Sequence, residues 1–138
     1  APQSVAASAS ATNEDVAPRR RVLVVDNDAA VVAAVRALLE GWDCEVRVAQ
    51  DTASAREACA REHPDLLLLD YHLDDGATGL DLRARLGAPF ARLPCIVVSA
   101  DHGEDVRRAV AEAGVHLLHK PLKPLALKSL MARLLAAA

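Results

Sequence analysis

Leu66-Leu67-Leu68-Leu69-Asp70 is a run of four leucines closed by a carboxylate, and its reading decides the fold. An apolar run this short, bounded by turn-type residues, is a strand buried on both faces, as in a parallel sheet. Three further runs repeat the pattern. Val22-Leu23-Val24-Val25 leads into Asp26-Asn27-Asp28, Cys95-Ile96-Val97-Val98 into Ser99, and Val115-His116-Leu117-Leu118-His119 into Lys120-Pro121. In an open α/β sheet, ligands sit beyond the carboxyl ends of the strands. Two carboxylates, a hydroxyl and a lysine spread over most of the chain are therefore expected along one edge.

The segments between these runs have helical punctuation. Asp28 caps a first helix whose core stripe is Val31, Ala34, Val35, Leu38 and Leu39, with Gly41 just past its end. Cys44 to Ala49 reads as another strand, and Asp51 or Thr52 opens a second helix that His63-Pro64 stops. Thr78 with Asp81 forms a capping box, and Gly87 ends that third helix. A fourth helix over 104–113 buries Val106, Ala109 and Val110 and is closed by Gly114. Pro124 starts a fifth, with Leu127, Leu130, Met131, Leu134 and Leu135 on one stripe. Five strand–helix units imply a doubly wound parallel sheet, and an order of 2-1-3-4-5 places the strands ending in Asp26 and Asp70 side by side.

A chain of 138 residues has room for one domain with a real core. One Trp, one Tyr and one Phe argue against stacking on bases, and a net charge of -3 argues against a nucleic-acid partner. Cys44, Cys59 and Cys95 lack metal-type spacing and read as buried free thiols in a reducing compartment. No stretch is apolar over the length of a membrane span, so the expected setting is cytoplasmic with no direct membrane contact. Residues 1–18 are small and polar, the composition of a flexible linker, and 19–138 form the domain.

Asp70, projecting from a rigid strand, can attack phosphorus and form an acyl phosphate. Two anions repel, so a cation is needed; Mg2+ accepts one or two carboxylates together with phosphate oxygens. Asp26 would be the second acidic ligand, Lys120 a compact positive charge for a phosphoryl oxygen, and Ser99 a hydrogen-bond donor to another. His116 and His119, three apart on a strand, lie on opposite faces and do not share a metal. On the first helix, Ala29, Ala30, Val32 and Ala33 form an uncharged patch beside the site that could receive a partner's helix.

From Arg21 to Ala138 the chain resembles a response-regulator receiver domain. The motifs carrying the resemblance are Val-Val-Asp26-Asn27-Asp28, Leu-Leu-Asp70, Val-Ser99-Ala100 and Lys120-Pro121. The resemblance implies a flavodoxin-like (βα)5 fold and a phosphoryl group taken by Asp70 from the phosphohistidine of a histidine kinase or phosphotransfer domain. It also implies Ser99 as the switch hydroxyl, Lys120 as the conserved-type lysine, and a cis Lys120–Pro121 bond. Mg2+ would be held by Asp26, Asn27, Asp70 and the backbone carbonyl of His72. The side chain of His72 and Asp101 occupy places that tune hydrolysis of the acyl phosphate.

Three positions depart from the family pattern. Asn27 stands where a second acid is usual, so weakened Mg2+ affinity is expected. Leu117 stands where a switch Tyr or Phe is usual. The loop after Asp70 (71–79) lacks the usual proline and is one residue longer. The Asp-Asn-Asp signature and the Asp-Tyr-His-Leu loop resemble receivers attached to hybrid histidine kinases, here with no output domain after the fifth helix. The isolated domain would then be no enzyme, its parent protein could be membrane-associated, and a homodimer is possible. Two alternatives stay open. One is a haloacid-dehalogenase-like phosphatase with Asp26 as nucleophile and Asp28 as acid. The other is a non-phosphorylated pseudo-receiver acting as a scaffold.

Overall fold

Each of the apolar runs is a strand in the computed structural model, which describes residues 19–137. The linker expected at 1–18 lies outside the described residues. Strands β1 (Arg21–Val25), β2 (Glu45–Ala49), β3 (Leu66–Asp70), β4 (Cys95–Ser99) and β5 (His116–His119) pair in parallel in the order β2-β1-β3-β4-β5. This is the 2-1-3-4-5 order expected from the sequence. Val25 pairs with Leu69, and Asp70 with Val98. Asp26 and Asp70 thus follow neighbouring strands, one residue beyond the same rung.

Helices α1 (Ala29–Gly41), α2 (Thr52–Arg61), α3 (Gly79–Leu86), α4 (Glu104–Glu112) and α5 (Pro124–Ala137) cover both faces. Strand alternation divides the core in two. Val22, Val24, Leu66, Leu68, Ile96 and Val98 pack against Val35 and Leu39 of α1 and Leu127, Leu130 and Met131 of α5. Leu23, Val25, Leu67, Leu69 and Val97 face α2, α3 and α4 through Ala55, Cys59, Leu82, Leu86, Val106 and Val110. Each fully buried leucine stabilises the fold by about 1.5–3 kcal/mol relative to exposure. That is why β3, sandwiched on both faces, tolerates no polar residue before Asp70.

The local signals act as their chemistry requires. Asp28 accepts from the N–H groups of Ala30 and Val31, satisfying two of the donors at the start of α1. Asp51 with Ser54, and Thr78 with Asp81, make reciprocal capping boxes. Gly87 and Gly114 both have φ above +70°, where a side chain would be strained. The end of α1 differs from expectation: Gly41 is its last helical residue and Trp42 its C-cap. The left-handed residue that turns the chain into β2 is Asp43, at φ 63°. Two short 3-10 turns, Asp74–Gly76 and Phe90–Arg92, are additional. The three cysteines are buried and free. Among the described residues no helix is long and apolar enough to cross a membrane.

Candidate functional site

Asp26, Asp70 and Lys120 meet at the carboxyl edge of the sheet. The Lys120 Nζ lies 3.2 Å from Asp26 Oδ2 and 3.3 Å from Asp70 Oδ2. Both aspartates are buried, at 4% and 8% exposure, although each is charged or chargeable. Asp26 is held from its other side as well, because its Oδ1 accepts from the N–H of Asp28 at 2.9 Å. Placement of the lysine follows from the backbone: the Lys120 N–H donates to the Ser99 carbonyl at 2.9 Å, extending the β4–β5 ladder by one rung. The Lys120–Pro121 peptide is cis, as is Ala88–Pro89.

Electrostatics at this point are divided. Burial first, and the neighbouring Asp26 carboxylate second, push Asp70 above its ordinary value, with Lys120 opposing both. For Lys120, burial works against the ammonium, but Asp26 and Asp70 together outweigh it and raise its pKa. The lysine is therefore a fixed charge, while Asp70 is a carboxylate whose ionised form is held in tension. Such a group gains from any further cation or from conversion to an ester-like acyl species.

Ser99 ends β4 fully buried, and its Oγ accepts from the N–H of Asp101 at 3.0 Å. That bond uses an acceptor site and leaves the hydroxyl proton to be donated. Leu117, at the place of the usual aromatic, is half-buried and packs into the core on the α2–α4 face. It offers no hydroxyl and no ring to follow Ser99.

The loop after β3 completes the rim. Tyr71 N–H donates to the Val98 carbonyl, Leu73 N–H to Ala77 and Gly79 N–H to Tyr71. His72 bridges Thr78 across the loop. The bonds that close the loop thus use the Tyr71 and Ala77 carbonyls and leave that of His72 out. The His72 imidazole reaches Asp101 Oδ2 at 3.3 Å, spanning from the β3 loop to the β4 loop. Asp101 is held below the usual carboxylate range, first by the Gly103 N–H and then by His72.

One contact of an expected site residue and one further residue are not legible in sequence. Asn27 is exposed, and its Nδ2 donates to Asp74 Oδ1, tying the β1 loop to the longer β3 loop. Gly79 opens α3 against the end of β3: a Cβ at this position would run into the Asp70 carbonyl oxygen and the Leu69 side chain. The close approach, rather than a positive φ, is what demands glycine. A glycine directly before a helical leucine gives no such hint in sequence.

Among the described residues no three His, Cys, Asp or Glu side chains gather into a metal-binding cluster. The oxygen donors along this edge are the carboxylates of Asp26 and Asp70, the Asn27 amide and the His72 carbonyl. A sparse oxygen set of this kind suits Mg2+, which keeps several waters and takes the rest from phosphate. Beside it an apolar groove of about 560 Å³ runs between α1 and the β5–α5 loop, lined by Ala30, Ala34, Leu38, Ala100, Pro121 and Leu122. Of the four residues expected to form a docking patch, only Ala30 lines this groove. Ala34, expected in the core stripe, is exposed on it, because the face of α1 packed on the sheet is that of Val31, Val35 and Leu39.

His119 lies at half-burial with its ring stacked on that of His102, centroids 4.1 Å apart, whereas His116 at the other end of β5 is exposed. The two histidines of β5 do not share a face.

Residues 22–132 match the model of the response regulator receiver domain family. Response regulator MprA of Mycobacterium leprae is 35% identical over 116 residues, which is 84% of this chain and 50% of MprA. The DNA-binding response regulator MtrA of Mycolicibacterium paratuberculosis is 34% identical over 122 residues, 86% of this chain and 51% of MtrA. The chain spans about half the length of the curated relatives it matches. Among solved structures, a CheY-like receiver domain protein from Methanospirillum hungatei superposes with a TM-score of 0.77 at 23% identity, covering 87% of this chain and 96% of the other. The Vibrio cholerae chemotaxis protein CheY4 gives 0.77 at 19%, covering 85% and 99%, and these two share the fold. The family match sets aside the phosphatase family as an alternative: this chain belongs to the response-regulator receiver domain family, the signalling modules of two-component systems.

Proposed function

We propose that the chain accepts a phosphoryl group on Asp70 from a phosphohistidine. The observation that carries this is the Lys120 ammonium set between Asp26 and Asp70 at 3.2 and 3.3 Å. An Asp70 oxygen attacks phosphorus, the phosphorus–nitrogen bond to the donor imidazole breaks, and the leaving nitrogen takes up a proton. The product is an acyl phosphate. Lys120 shifts from the Asp70 carboxylate to a phosphoryl oxygen, staying paired with Asp26. Ser99 donates its free hydroxyl proton to another phosphoryl oxygen.

Asp26, Asn27, Asp70 and the His72 carbonyl would hold Mg2+. When bound, the ion supplies the positive charge that lets an anionic nucleophile meet an anionic donor. Asn27 brings an amide where a carboxylate would bring charge, so binding is weaker than with two adjacent acids. This reading excludes the pseudo-receiver scaffold only through the chemistry of Asp70, Ser99 and Lys120.

Driving a conformer from 1:99 to 99:1 takes about 5.5 kcal/mol of differential binding. Charge-assisted bonds at Ser99 and Lys120 each supply about 1.5–3 kcal/mol, so both are required for a full switch. Leu117 does not help, being packed in the core. Loss of either contact leaves a chain that is phosphorylated but half-switched.

The donor's helix is proposed to lie in the groove between α1 and the β5–α5 loop, which opens beside Lys120. The Asp-Asn-Asp and Asp-Tyr-His-Leu motifs support a relay receiver of a hybrid histidine kinase, which works in the cytoplasm without touching nucleic acid. A second reading rests on MtrA, named as DNA-binding: here the domain would govern the output of a DNA-binding regulator. Return of phosphate from Asp70 to a phosphotransfer histidine supports the relay, and its absence supports the output role. Incubation with acetyl phosphate and Mg2+, followed on phosphate-affinity gels, tests the proposal. A phosphoprotein is expected that disappears with EDTA and in Asp70→Asn; equal labelling of Asp70→Asn overturns it.

A further inference from the structure

At the opposite end of the sheet lies a second concavity, of about 330 Å³, where β4 and β5 begin. Cys95 starts β4 and His116 starts β5, whereas Ser99 and Lys120 stand at or just past the ends of the same strands. Four residue steps along β4 separate the two ends by about 13 Å. Nothing bound at Asp70 touches this cavity.

Its lining is cationic. Arg83 of α3 and Arg92 of the second 3-10 turn both face it, with the His116 imidazole, and none of its lining residues is acidic. Among the described residues neither arginine makes an ion pair. The Nε of Arg83 is buried with no hydrogen-bond partner. A guanidinium donor withdrawn from water and left unpaired costs free energy, and natural structures rarely keep one without a reason. Cys95 does not supply the missing anion. Burial pushes its thiol up to about 12 in spite of nearby Arg83, so it stays neutral. Val115 and Leu134 add an apolar wall.

We propose that this cavity binds a small molecule through a phosphate group held in the fork of Arg83 and Arg92, with His116 as a further donor. Guanidinium groups offer paired N–H donors that match the oxygens of phosphate. The volume exceeds what phosphate fills, and the apolar wall accommodates a small organic group on the phosphoester oxygen. An anion here gives the unpaired Arg83 and Arg92 guanidinium groups a partner through the nitrogens open to the cavity; an uncharged ligand does not.

The test is a titration of the 15N-labelled chain with inorganic phosphate and, separately, with phenyl phosphate. EDTA is present and ionic strength is held constant with sodium chloride. Saturable shifts are expected at the amides of Cys95, Val115 and His116 and at the Arg83 Nε–H, with Asp70 and Lys120 unmoved. Arg92 is exposed, so Arg92→Gln leaves the core intact and is expected to weaken binding at least tenfold. Arg83→Gln is expected to do the same, with circular dichroism confirming the fold. Tighter binding of phenyl phosphate assigns the site to organic phosphates, and equal affinity assigns it to free phosphate. Shifts that do not saturate, or that Arg92→Gln leaves unchanged, show an adventitious ion only and overturn the proposal.

Discussion

Replacing Lys120 with Met removes the cation that Asp26 and Asp70 share, and the consequences can be worked from three distances. At an effective dielectric of about 20, each contact of 3.2–3.3 Å contributes about 5 kcal/mol of attraction. Both carboxylates touch one nitrogen, so the two contacting oxygens lie within about 6.5 Å of each other and repel by about 3 kcal/mol. In Lys120→Met only the repulsion remains. The site can relieve it by protonating Asp70, which at about pH 7.5 costs about 5 kcal/mol and at about pH 5.5 only about 2. Loss of one partner of a buried pair usually costs about 3–5 kcal/mol, in agreement with that ceiling.

The pH dependence has a definite sign. In the parent, burial and then Asp26 hold the Asp70 pKa above 3.8, so the folded chain keeps a proton that the unfolded chain has released. Stability from this group is full below the unfolded value and falls as pH rises through the folded one. Without Lys120 the opposing influence is gone, and the falling limb extends further upward. Urea denaturation in EDTA at a series of pH values is the assay. Lys120→Met is expected to lose about 3–5 kcal/mol near neutrality and about 2 or less near pH 5.5. Adding Asp70→Asn to it should recover about 3 kcal/mol, far more than the same change gains in the parent. A Lys120→Met chain within about 0.5 kcal/mol of the parent at neutral pH, or one whose loss ignores pH, refutes the reasoning.

Gly79→Ala forces a Cβ against the Asp70 carbonyl, and overpacking of this kind costs about 1–3 kcal/mol; slower acetyl phosphate labelling should accompany it, in proportion to the displacement of Asp70. Asn27→Asp places a second charge beside Asp26 and exchanges a hydrogen bond to Asp74 for repulsion. Calorimetric titration should show Mg2+ binding tightened by about tenfold, equivalent to about 1.4 kcal/mol. Ala34→Glu sets a charge in the apolar groove and should slow transfer from a cognate phosphohistidine donor by about tenfold or more, while labelling by acetyl phosphate continues at the parental rate. Equal loss with both donors would mean that the groove is not where the donor sits.

What the sequence disclosed depended on range. Strand identity was legible because burial on both faces leaves no polar residue in Leu66 to Leu69, and the strand order follows from alternation with helices. Caps at Asp28, Thr78 and Asp81 were legible because their chemistry acts within three residues. That Asp26, Asp70, Ser99 and Lys120 share one edge was legible since each stands at or just past the end of a strand, and all strands run the same way. The misjudged features depend on neighbours distant in sequence. Ala34 fits the helical stripe of α1, yet the sheet is covered by Val31, Val35 and Leu39, so Ala34 opens onto the groove instead. Asp43, not Gly41, makes the left-handed turn, because Gly41 is retained in the helix. Gly79 is needed for the nearness of Asp70, which no local pattern records. Asn27 and Asp74 are 47 positions apart, and only the folded loops bring them together.

The central claim is that Asp70, and not its neighbour Asp26, bonds to phosphorus. Phosphorylation by acetyl phosphate with Mg2+, borohydride reduction of the acyl phosphate and tandem mass spectrometry of the peptides measures it directly. Conversion of Asp70 to homoserine is the predicted result. Reduction at Asp26, or at neither aspartate in a chain shown to bind Mg2+, would contradict it.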